Sequence, residues 1–169
     1  MGWKESPLVE PSSLFALAEI AIGMAGFSAI VVMFKRRDSG QWHSEDADQF
    51  NGMVLHAMAA AFFCVLPAII EVFTDDPARI WLLGSAILGV QIIAHTAGIL
   101  GFASTTRATR TVVVVGASAA VILQALNVFG VGFSREFQPY LAGVMWHMLH
   151  AGGLFVMLIL VRPSEIQGE

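Results

Sequence analysis

Charge is what this sequence has least of. Asp, Glu, Lys and Arg make up 13% of its 169 residues, where soluble domains carry about a quarter. A soluble fold would have to hide most of the chain in a core, and a chain this short has too little interior for that. The net charge of −4 comes with no basic tract, which excludes the phosphate-neutralising face of a nucleic-acid binder. Cysteine occurs once, as Cys64, so no internal disulfide, CxxC redox pair or thiolate zinc cage can be built. Cys64 sits in an apolar run and reads as a packing residue. The only lysines, Lys4 and Lys35, lie outside the apolar blocks, which excludes a buried Schiff-base lysine. Also missing are a Gly-x-Ser-x-Gly elbow, a Walker loop and a dinucleotide glycine pattern. An enzyme is therefore harder to defend; acid–base work by Glu19 with His147 or His150 on a lipid-soluble substrate stays open, and nothing singles it out.

What is present is hydrophobicity, 56% of the chain, in five blocks: 13–34, 53–73, 80–102, 111–133 and 140–161. Each holds about 21 to 23 residues, enough for a helix to cross about 30 Å of hydrocarbon. The predicted fold is therefore all-α: a single polytopic membrane bundle of about five transmembrane helices. The segment 35–52 is its only sizeable loop. The first block is no cleavable signal, because Glu5 and Glu10 accompany Lys4 and the apolar run is too long. No internal repeat is visible, which argues against an inverted-repeat transporter within one chain.

The boundaries are punctuated. Lys35, Arg36 and Arg37 stop the first block, and Ser44 ahead of Glu45, Asp46 and Asp48 reads as an N-cap. Asp76-Pro77 and Gln138-Pro139 place proline at the start of the third and fifth helices. Inside the second block, Pro67 should kink the helix and leave the carbonyl of Phe63 without its helical donor. Orientation follows from Lys and Arg. With the N-terminus outside, Lys35, Arg36, Arg37, Arg107, Arg110 and Arg162 fall inside, against Lys4, Arg79 and Arg135 outside. That predicts an N-out, C-in, multi-pass protein of the cell (inner) membrane, with 35–52 in the cytoplasm. Trp42, Trp81 and Tyr140 fall near block ends, as interfacial aromatics do.

Small and polar residues recur at helical spacing in every block, which predicts inward-facing stripes. They are Glu19, Gly23 and Gly26 in the first; His56, Ala60, Cys64, Pro67 and Glu71 in the second; Gly84, Gln91, His95 and Gly98 in the third. The fourth has Gly116, Ala120, Gln124 and Asn127, and the fifth Gly143, His147 and His150. Gly, Ala and amide stripes ordinarily serve helix packing, whereas ionisable groups at depth point to function. Counted from the block ends, Glu19, Glu71, His147, His150, Asn127 and Gln124 fall in the outer half. His56 and His95 fall in the inner half.

Three functions suit this pattern. The leading one is conduction or transport of an ion or proton by a homo-oligomer in the lipid bilayer, along Glu19, Glu71, His147, His150, Asn127 and Gln124. The second is a cofactor site: a transition metal held by His147, His150, Glu19 and Glu71, or haem held between His56 and His95. The third is a non-catalytic assembly or effector subunit.

Overall fold

The computed structural model describes residues 11–39, 44–101 and 107–160. They form five helices: α1 (Pro11–Ser39), α2 (Ser44–Glu71), α3 (Pro77–Gly101), α4 (Arg107–Phe129) and α5 (Phe137–Leu160). Each contains a stretch long and apolar enough to cross a membrane, and there is no strand among the described residues. Helix α1 continues to Ser39, into the segment 35–52 read as a loop, and α2 starts at Ser44, where the N-cap pattern places it. Lys4, Trp42 and Arg162, used above for orientation and interface, lie outside the described residues.

Helices α2, α3, α4 and α5 form a ring of neighbours, and α1 lies outside it against α2 and α5. Helix α5 touches all four others. The peripheral place of α1 shows in its burial: 17% of its apolar window is buried, against 56% for α2. It packs through Leu14, Ala18, Ala21 and Ser28.

Local chemistry sets the ends. Asp76 caps α3 by accepting the Ala78 N–H on its side chain at 3.0 Å, with Pro77 at the first helical position, where no N–H is needed. Helix α4 stops at Phe129, short of the sequence block's end, because Gly130 turns left-handed at φ +69°. The Gly130 N–H then bonds the Asn127 carbonyl at 3.3 Å and the Val131 N–H bonds that of Leu126 at 2.9 Å. This is the Schellman arrangement, which satisfies carbonyls that the helix leaves open.

The proline in α2 has a partner. Without an N–H at Pro67, the Phe63 carbonyl has no helical donor, and the Tyr140 hydroxyl of α5 donates to it. Tyr140 is fully buried, so the bond ties α5 to the weakened turn of α2.

Closer to the other end, α4 and α5 meet where Gly116 receives the Trp146 ring. A Cβ at Gly116 would stand 2.0 Å from Trp146 Cζ3 and 2.3 Å from Cη2. The rigid indole cannot yield that distance without moving. Gly116→Ala is expected to destabilise the protein by about 1–3 kcal/mol through overpacking. Thermal unfolding in detergent would read the loss, and a shift in tryptophan emission would show that Trp146 had moved.

Candidate functional site

One register brings the polar side chains together. On α5, Tyr140 reaches Phe63 of α2 and lies against Gly84 of α3, where a Cβ would come within 3.0 Å of its ring. Seven residues separate Phe63 from His56, Gly84 from Gln91, and Tyr140 from His147. Seven residues are two turns, about 10 Å along the axis and back on the same face. Because α2 runs opposite to α3 and α5, all three steps lead to one level. His95 and His150 follow one turn further along α3 and α5.

At that level the imidazoles bond directly to one another. His56 Nδ1 lies 3.0 Å from His147 Nδ1, and His56 Nε2 lies 2.9 Å from His95 Nε2. His147 Nε2 lies 2.8 Å from Gln91 Oε1. His56 therefore uses both ring nitrogens and is the centre of a chain running His95–His56–His147–Gln91. His150 stacks on His56 with ring centroids 4.0 Å apart, and Trp146 meets His150 edge to face at 5.4 Å. Phe63 lies parallel to His147 at 6.1 Å and covers it. His147 and His56 are buried at 0% and 2% exposure, while Gln91, His95 and His150 are half-buried. Buried polar groups persist where they are hydrogen-bonded, and here His56, His95, His147 and Gln91 satisfy one another.

The residues singled out from sequence divide into three groups. His147 and His150 are in the cluster, and His56 and His95 join them, so the division into outer and inner histidines does not hold in the structure. The division assumed that all helix ends lie level. The Tyr140–Phe63 bond instead sets the first turn of α5 about two turns short of the end of α2.

Gln124 and Asn127 are buried on α4 and hold helix ends. Gln124 Nε2 donates to the Pro139 carbonyl at 2.6 Å. Asn127 Nδ2 donates to Ser85 Oγ and to the Glu136 carbonyl, both at 2.9 Å. Its Oδ1 accepts from the Glu136 N–H at 2.8 Å.

Glu19 and Glu71 are exposed, one on α1 and one at the end of α2. The whole Glu19, Gly23 and Gly26 stripe points away from the bundle, because α1 buries its opposite, alanine-rich face. An unpartnered carboxylate stays out of a packed interior. Gln91 is the member that sequence reasoning set aside as packing glue. Its spacing of four from His95 was the available signal.

The cluster's fit to a metal is poor as it stands. His56 turns its two nitrogens toward two different rings, so its donors do not converge on one point. Among the described residues no group of three or more His, Cys, Asp or Glu has a metal-holding arrangement. Haem between His56 and His95 would need their nitrogens about 4 Å apart, two metal–nitrogen bonds of about 2 Å. They are 2.9 Å apart, with the rings edge to face. As packed, the site suits proton-sharing between imidazoles. Searches against protein families, curated proteins and solved structures returned no match to this chain.

Proposed function

We propose that this chain is a multi-pass protein of the cell (inner) membrane that takes up and passes protons through the His95–His56–His147 relay. The observation that carries this reading is the pair of direct nitrogen–nitrogen contacts at 2.9 and 3.0 Å on a single buried ring. An imidazole can accept a proton on one nitrogen and release another from the second. Ionisable side chains at membrane depth are costly, and their retention points to function.

Lipid is the natural solvent for the outward faces, where Phe27, Ile30, Phe62, Ile93, Val115 and Leu160 are exposed. The Lys and Arg distribution favours N-out, C-in. A homo-oligomer is supported by the outward Glu19, Gly23 and Gly26 stripe of α1. Small residues on a free face allow a second helix to approach closely, and a partner would also take Glu19 out of hydrocarbon.

The test is proton flux in proteoliposomes, followed by a pH-sensitive dye under an imposed potential. Flux above protein-free vesicles is expected, and Glu19→Gln, which alters a carboxylate away from the cluster, is expected to retain at least roughly half of it. Absence of flux from folded wild-type protein would overturn the reading. Loss of flux in Glu19→Gln would move the pathway from the histidine relay to α1.

A further inference from the structure

Counting ring protons shows how the relay is loaded. It offers four places for a proton: His95 Nδ1, the His95–His56 contact, the His56–His147 contact, and His147 Nε2. Three neutral imidazoles supply three protons, so one place is vacant and one excess proton fills the chain. The vacancy is set at the far end. Gln91 presents its carbonyl oxygen to His147 Nε2, and an amide oxygen only accepts, so His147 must carry its proton on Nε2. His56 then donates from Nδ1 to His147, and His95 donates from Nε2 to His56. The vacancy is left at His95 Nδ1.

We infer that Gln91 is a two-position switch that sets the direction of the relay, with its amide oxygen toward His147 in one state and its amide nitrogen in the other. This deepens the relay reading and rests on it. In the first state a proton from hydronium binds His95 Nδ1. The His95 Nε2 proton passes to His56 Nε2, and the His56 Nδ1 proton passes to His147 Nδ1. The His147 Nε2–H bond then breaks and its proton goes to a water molecule, so one proton has entered and one has left. His147 Nε2 now holds a lone pair, and a turned amide can donate N–H to it. The amide oxygen is not itself a proton carrier, so release requires Gln91 to swing from the ring. Its half-buried position leaves it room to do so. In the second state every ring carries the opposite tautomer, and each ring must turn over, exchanging its donor and acceptor nitrogens, before a further proton crosses in the same direction. Gln91 is thus a positioning residue, acting through His147.

Nitrogen-15 NMR of the histidine-labelled protein in bilayers reads these tautomers directly, at a pH where the rings are uncharged. The expected wild-type order is Nε2–H on His147, Nδ1–H on His56 and Nε2–H on His95. In Gln91→Leu nothing at the end of the chain selects a direction. The preference of His56 is expected to fall from roughly fivefold or more, the effect of one hydrogen bond, to about even. The opposite order in the wild type would overturn the inference, and so would a His56 preference that survives in Gln91→Leu. The wild-type spectrum alone decides the matter if the variant fails to fold. The stated order in a protein without proton flux would overturn the transport reading alone. A scrambled order in a protein with flux would overturn the switch alone.

Discussion

His56→Gln is expected to lower proton flux by roughly a hundredfold or more, the range in which positioned proton-transfer groups act. His56 alone among the four clustered histidines bonds to two other imidazoles, at 3.0 Å to His147 and 2.9 Å to His95. Glutamine is close to histidine in size and keeps one donor and one acceptor. It therefore avoids much of the cavity and the stranded partners that alanine would leave. Its amide cannot take a proton on one side and shed one on the other, so the chain would be cut at its centre. Proteoliposome flux would read the loss, with helix content and oligomer size checked alongside. Flux within about twofold of wild type in a well-folded His56→Gln protein, a change too small for a lost proton-transfer group, would mean that protons do not pass through this ring.

Asn127→Ala is expected to have the largest effect on stability. Asn127 is fully buried, and its amide makes three hydrogen bonds at 2.8 to 2.9 Å, to Ser85 of α3 and to both backbone groups of Glu136. It fastens the turn after α4 to the start of α5 and to the neighbouring helix. Truncation removes all three bonds and leaves the Glu136 N–H and carbonyl to find other partners. At about 1 kcal/mol each, the loss is about 3 kcal/mol, a fall in Tm of roughly 6–12 °C for a chain of this size. Ser85→Ala removes one of these bonds and should cost about a third as much. Thermal unfolding in one detergent would compare them. Equal, small shifts in both would show that Asn127 does not hold the turn.

The helices themselves were legible because each is a long apolar block of membrane-spanning length with polar punctuation at its ends. Pro67 was legible at the level of a single atom: it predicts a free carbonyl on Phe63, and Tyr140 donates to that carbonyl. The histidine cluster was legible only in part. Periodicity places His56, His95, His147 and His150 on the inner faces of their helices, but it says nothing about how far one helix slides past another. That offset comes from Tyr140 lodging between Gly84 and the Phe63 turn, a packing fit with no local signature. The same gap hid Gln91, since an amide becomes part of a site only through the ring that faces it. On α1 periodicity misled. Glu19, Gly23 and Gly26 form a stripe as regular as the others, yet Leu14, Ala18 and Ala21 cover the bundle, and the stripe faces outward.

The most direct test of the relay is nitrogen–nitrogen coupling across its hydrogen bonds, measured by NMR on histidine-labelled protein in bilayers. Such couplings arise only where one nitrogen donates its proton to the lone pair of the other. The relay requires two of them, His56 Nδ1 to His147 Nδ1 and His56 Nε2 to His95 Nε2, both lost in His56→Gln. Separate rings without either coupling, or shifts typical of metal-bound imidazole, would contradict the histidine relay at its centre.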